Sequence, residues 1–191
     1  MIAIYVARCP NEMQIMHEKG VEMRDRVLGA IFPSYSPDWV VRTPEGKPIL
    51  KQGFLSFSIS HSHGVVAFAA AGNFSPPPPA EGEIFFTLSE TPEAIGVDVE
   101  KVREIRDVSA LTRRWFSSAE TALVGENSPR FIACFSQKEA LSKCSGKGLA
   151  ELTRCDTCSL AVGEFLWNRS LCFDGEEFVL SLAYRLDEKE V

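Results

Sequence analysis

Four consecutive prolines, Pro76 to Pro79, constrain this chain more than any other feature. Proline donates no backbone hydrogen bond and fixes φ, so neither a helix nor a central strand runs through such a segment. It is either a surface excursion or the link between two halves. What lies on each side reads in the same coarse order. Before it, Ile2 to Ala7 is an apolar, β-branched strand. Asn11 to Ile31 carries an irregular helical stripe through Met13, Met16, Val21, Val27, Leu28 and Ile31, which predicts two short helices broken near Gly20. Val40-Val41 and Pro48 to Leu50 are short extended pieces around a turn at Glu45-Gly46. Phe57 to Ser60 alternates apolar and polar, His61 to Gly64 reads as a turn, and Val65 to Ala71 returns as the second strand of a hairpin. After the prolines, Ile95 to Val99 is a compact strand, and Val108 to Val124 and Arg130 to Ser145 have helical period. Leu160 to Leu166, Leu171 to Phe173 and Phe178 to Leu186 predict an antiparallel meander. The expectation is an α+β chain of two similar halves, 1–90 and 91–191.

Bulk properties narrow the function. With 191 residues, 45% hydrophobic and 24% charged, the chain is ordinary globular material and needs no disulfide staple. A net charge of -6 argues against a bulk nucleic-acid binder, which needs clustered Lys and Arg. No apolar run reaches the roughly 18 residues of a membrane span. The start lacks the basic region, apolar stretch and cleavage site of a signal peptide, so a cytoplasmic protein without a membrane partner is expected. The six cysteines are expected to be buried thiols. Cys155 and Cys158 have half of a zinc-ribbon spacing with no second pair to complete it.

Three segments carry chemistry. In Gly96-Val97-Asp98-Val99-Glu100, the two carboxylates share one face of the strand, about 6.5 Å apart along it. They repel unless a cation lies between them, and magnesium suits one or two carboxylates with phosphate oxygens completing its shell. Alone, the pattern is more often just the solvated face of a sheet. In Phe135-Ser136-Gln137-Lys138-Glu139-Ala140-Leu141-Ser142-Lys143, Glu139 and Lys143 share a helix face, either as a surface ion pair or as a third carboxylate with a lysine beside the metal. Lys138 lies about 100° round that helix. In Ser58-Ile59-Ser60-His61-Ser62, a histidine among hydroxyls can donate to phosphate, or can be a satisfied turn residue. His17 and His63 take the bland reading. No Walker-type loop and no Gly-x-Ser-x-Gly elbow is present.

In this order, with Gly46-Lys47-Pro48 upstream, Trp115-Phe116-Ser117 and Glu120 between, and Gly146-Lys147-Gly148-Leu149 after, the segments resemble the 4'-phosphopantetheinyl transferase superfamily, in particular its surfactin-type branch. The resemblance covers residues 43 to 149. It implies two similar α+β halves about a pseudo-two-fold axis, with coenzyme A in the cleft between them. It implies a magnesium-dependent enzyme, a holo-[acyl-carrier-protein] synthase or related transferase. Such an enzyme moves the 4'-phosphopantetheine arm of coenzyme A to a serine of an acyl or peptidyl carrier protein and releases 3',5'-ADP. Carried over by position, Asp98, Glu100 and Glu139 hold the metal, and Lys47, Ser60, His61 and Lys143 contact the phosphates. Glu139, Lys143 and Asp98 serve the chemistry, and Lys138 is a lesser candidate. Phe135 stands where the family often has tryptophan. Arg24 and Arg26 both flank the family's arginine position at the adenine end. Arg113-Arg114 and Lys143 to Lys147 are candidate carrier contacts, with Leu149 for an apolar one, and a monomer is expected. Two other readings use the same residues: a metal-dependent phosphohydrolase, and a non-catalytic module that binds coenzyme A or a carrier.

Overall fold

The computed structural model describes residues 1–148 and 151–187. Nine strands and four α-helices follow one another as β1 (Ile2–Arg8), α1 (Met13–Ile31), β2 (Val40–Arg42), β3 (Pro48–Leu50), β4 (Leu55–Ser62), β5 (Val65–Gly72), β6 (Ile84–Leu88), β7 (Ala94–Lys101), α2 (Val108–Trp115), α3 (Ser118–Val124), α4 (Ser128–Ser145), β8 (Glu164–Phe173) and β9 (Glu176–Arg185). They form a four-stranded sheet in the order β4-β5-β1-β6, a three-stranded sheet β7-β9-β8 and a small β2-β3 ribbon, all with antiparallel pairing. The architecture is α+β. The same connectivity occurs twice: a first strand, a long helix against the sheet, then a hairpin whose second strand pairs with the first strand.

The two larger sheets share one apolar core. Ile2, Ile4 and Val6 of β1 and Ala67 and Ala69 of β5 pack with Val97 and Val99 of β7 and Leu180 and Leu182 of β9. On one flank Phe86 of β6 meets Trp167 of β8 edge-on, with ring centroids 5.3 Å apart. On the other flank β4 faces β7, and serines join them. The backbone N–H groups of Ile95, Val97 and Val99 donate to the hydroxyls of Ser56, Ser58 and Ser60 at 3.2, 3.0 and 3.4 Å. Pairing advances by two on both strands, so β4 and β7 run in the same direction. The N–H groups on this edge of β7 point away from β9 and would be buried without a partner; the hydroxyls satisfy them.

Several expectations are corrected. Met13–Ile31 is one helix, not two. Gly20 does not break it but lets α1 approach the sheet: a Cβ there would stand 3.0 Å from the Ile59 side chain. Val108 to Val124 is two helices. Ser117 caps the second, accepting from the Glu120 N–H while the Glu120 carboxylate accepts from the Ser117 N–H. The closing meander is two ten-residue strands rather than three pieces, and β6 was not foreseen. The β4 strand runs on through His61 and Ser62, leaving only His63-Gly64 as the turn, with His63 at positive φ. Cys158 and Cys172 are exposed rather than buried, the first in a loop and the second on edge strand β8. No helix among the described residues is long and apolar enough to cross a membrane.

Candidate active site

Gly96 brings the second half's strand and helix together. A Cβ at this position would lie 2.1 Å from the Ala140 carbonyl oxygen and 2.4 Å from the Cys144 nitrogen, so only glycine lets α4 sit this close to β7. Two residues on, Asp98 points to the same face and meets the last turns of α4. The Lys143 ammonium lies 2.6 Å from Asp98 Oδ1 and 3.8 Å from Glu139 Oε2. It also donates to Ser60 Oγ at 2.9 Å, and Ser60 Oγ donates to Asp98 Oδ1 at 2.8 Å. Ser62 Oγ donates to Glu100 Oε2 at 2.9 Å.

Asp98, Glu100, Glu139, Lys143, Ser60 and His61 thus line one cavity of about 390 Å³. Burial, followed by the neighbouring Asp98, pushes the Glu139 carboxyl up to about 7. The same two causes raise Glu100 above its ordinary range. Burial holds the His61 imidazole below its usual value, which favours the neutral ring.

The donor set fits a hard divalent cation. Asp98 is 1% exposed, and its Oδ2 is buried without a hydrogen-bond partner. The nearby Asp98 charge raises the proton affinity of both Glu100 and Glu139, and oxygen donors suit magnesium. As they stand, no three His, Cys, Asp or Glu side chains among the described residues converge closely enough to enclose an ion. The cation beside Asp98 and Glu139 is the Lys143 ammonium.

The same cavity also has basic lining, and sequence reasoning largely missed it. His17 and Arg24, with Val21, sit at i, i+4 and i+7 on one face of α1, and Arg42 reaches in from β2. That helical spacing was the available signal. The structure also separates the two arginines at the adenine-end position. Arg24 lines the cavity, while Arg26 lies over the Tyr5 ring and pairs with Glu83.

An adjoining cavity of about 280 Å³ shares Pro48, Ile59, Glu139 and Lys143 with the first and is walled by Phe57, Leu152 and Lys47. The Lys47 ammonium donates to the carbonyls of Ile95 and Cys144, both at 3.2 Å. It therefore covers a free carbonyl on the β7 edge and one in the last turn of α4, and burial holds its pKa below the usual lysine range.

Lys138 turns away from the site. Its ammonium is fully buried against the Glu120 carboxylate, at 2.8 and 3.1 Å. Glu120 also accepts from the N–H and hydroxyl of Thr157. This pair fixes the rotation of α4, so that Glu139 and Lys143 face the cavity. Cys155 lies against the same helix, while Cys158 is exposed. Leu149, expected to meet a carrier, lies outside the described residues.

Residues 94–182 fit the family model described as ACPS: 4'-phosphopantetheinyl transferase superfamily. The matched span, a little under half of the chain, contains Asp98, Glu100, Glu139 and Lys143. A comparison with curated proteins gives no match.

Proposed function

We propose that this chain transfers the 4'-phosphopantetheine arm of coenzyme A to a serine of an apo acyl or peptidyl carrier protein, in the manner of the surfactin-type branch, and releases 3',5'-ADP. One observation carries the reading: Asp98, Glu100 and Glu139 line a single cavity together with Arg24, Arg42 and His17. A ligand with a diphosphate at one end and a separate phosphate at the other matches that distribution of charge. The adjoining cavity, with Phe57, Ile59 and Leu152, suits the long, nearly neutral pantetheine arm. The family match over residues 94–182 agrees with this reading.

Asp98, Glu100 and Glu139 would hold magnesium, which neutralises diphosphate charge when bound. The chain's own groups do the rest. Phosphoryl-type transfer needs alignment and charge neutralisation more than covalent help. As the carrier serine oxygen bonds to phosphorus, the bond from that phosphorus to the bridging oxygen breaks. Glu139 takes the serine proton. Lys143 stabilises the departing phosphate oxygen. His61 and Ser60 complete the phosphate-facing wall, while Lys47 lies in the adjoining cavity with its ammonium on the Ile95 and Cys144 carbonyls. The halves 1–90 and 91–191, related by a pseudo-two-fold axis, form the cleft. We place the protein in the cytoplasm as a monomer, with Arg113-Arg114 and Lys147 as its contacts to an acidic carrier.

The test is to incubate the protein with coenzyme A, magnesium and a panel of apo carriers and to weigh the carriers. A gain of one phosphopantetheine supports the reading, and no gain on any carrier sinks it. Glu139→Gln should lower the rate on the order of 10²–10³-fold with the fold intact, a loss typical of removing one preorganised charged group.

A further inference from the structure

Serines 56, 58, 60 and 62 stand on one face of β4, yet they do two different jobs. Ser56 and Ser58 accept backbone N–H groups of β7 and so belong to the joint between the sheets. Ser60 does both, accepting from Val99 N and donating to Asp98. Among the described residues Ser62 makes no hydrogen bond to the backbone of β7. Its hydroxyl proton goes to Glu100 Oε2 at 2.9 Å, and it lies 2.9 Å from His63 Nδ1. A hydroxyl has one proton, so with that proton on Glu100 the His63 ring nitrogen is left as the donor. The result is a directed chain, His63 to Ser62 to Glu100. Its origin is fixed by the turn: the His63 carbonyl accepts from Arg8 at 2.8 Å, and the Gly64 carbonyl accepts from the Cys9 N–H at 2.8 Å. Among the described residues the other group beside Glu100 Oε2 is the Arg103 guanidinium, 3.7 Å away on a side chain 47% exposed, which gives little orientation.

We infer that Ser62 is a positioning residue: it aims the Glu100 carboxylate for a divalent cation, and it is dispensable for the joint between the sheets. This rests on the reading of Asp98, Glu100 and Glu139 as cation ligands. Outer hydrogen-bond partners of ligating groups are worth about 10–100-fold in metal affinity. The proposal therefore separates two neighbouring serines of equal burial, Ser58 at 5% exposure and Ser62 at 7%.

The experiment titrates Mn²⁺ into the full-length protein, read by calorimetry and by the electron-spin signal of free Mn²⁺, with neither coenzyme A nor carrier present. Ser62→Ala should weaken Mn²⁺ binding at least about tenfold and leave the melting temperature within about a degree of the parent. Ser62→Thr, which keeps the hydroxyl, should restore affinity. Ser58→Ala should behave in reverse, melting several degrees lower with Mn²⁺ affinity unchanged. Unchanged affinity in Ser62→Ala overturns the proposal. So does loss of the fold in that variant, which would make Ser62 structural, and so does a parent protein that binds no Mn²⁺. Failure of carrier modification with the expected Mn²⁺ pattern would remove the transferase reading and leave this one standing.

Discussion

The strands β1 and β7 occupy the same place in the repeated connectivity, and each turns one face to the side of its sheet that carries a long helix. Toward α1, β1 presents Ala3, Tyr5 and Ala7, packed with Met23, Val27 and Leu28. Toward α4, β7 presents Gly96, Asp98 and Glu100. The neighbouring strands repeat the contrast. Under α1, β5 offers Val66, Phe68 and Ala70, whereas under α4, β9 offers Ser181 and Ala183. One half has filled the space between helix and sheet with apolar bulk. The other has emptied it, bringing the helix down onto glycine and opening a wet edge lined with charge. The same backbone plan thus serves as scaffold on one side and as chemistry on the other, and the apolar half still sends His17 and Arg24 across to the site.

Three tests probe that contrast, the largest first. Gly96→Ala should push α4 off β7, because the new methyl would meet helix backbone at 2.1 Å. We expect a loss of about 3 kcal/mol, the upper range for overpacking, measured by denaturant unfolding, together with loss of transfer. Ala3→Gly at the corresponding place in β1 should cost only about 1 kcal/mol. Equal losses would break the comparison.

Arg24→Ala tests the cation sent from the apolar half. It should raise the KM for coenzyme A by about tenfold, the lower range for a charge-assisted hydrogen bond. It should matter far less for coenzyme A lacking its 3'-phosphate. A similar rise with both substrates would detach Arg24 from that phosphate.

The smallest effect is on pH dependence. In metal-free protein the Glu139 carboxyl sits at about 7 against an ordinary 4.5, so the folded state holds that proton more tightly than the unfolded chain. Its contribution to stability is fully present below 4.5 and is lost as pH rises to about 7. Thermal melting between those values should therefore show a downward slope that Glu139→Gln flattens. An unchanged slope would place the burden on other groups.

The second half's chemistry was legible because its signals are local. Asp98 and Glu100 lie two apart on a strand, Glu139 and Lys143 four apart on a helix, and each spacing fixes a face before any tertiary contact is known. The basic wall was not, because Arg42 and α1 meet β7 only through the fold. Gly20 was read as a helix break because glycine weakens helices in isolation; here the close packing of α1 on Ile59 and Val66 outweighs that cost. The helix boundary at Ser117 was present in the sequence as Ser-x-x-Glu, a capping signature hidden by the helical period on either side. Asn168-Arg169-Ser170, polar and exposed on an edge strand, broke an apolar pattern that the backbone continues through. Lys138 resembled a phosphate ligand by its position beside Glu139. Only the buried Glu120, 18 positions earlier, shows where it goes.

Main-chain ladders are indifferent to mutation, since every residue but proline brings the same amide. The contact between β4 and β7 is different, because its acceptors are side chains, one per alternate codon. Heredity can therefore loosen, tighten or shift that joint a single rung at a time, without disturbing either sheet's own weave.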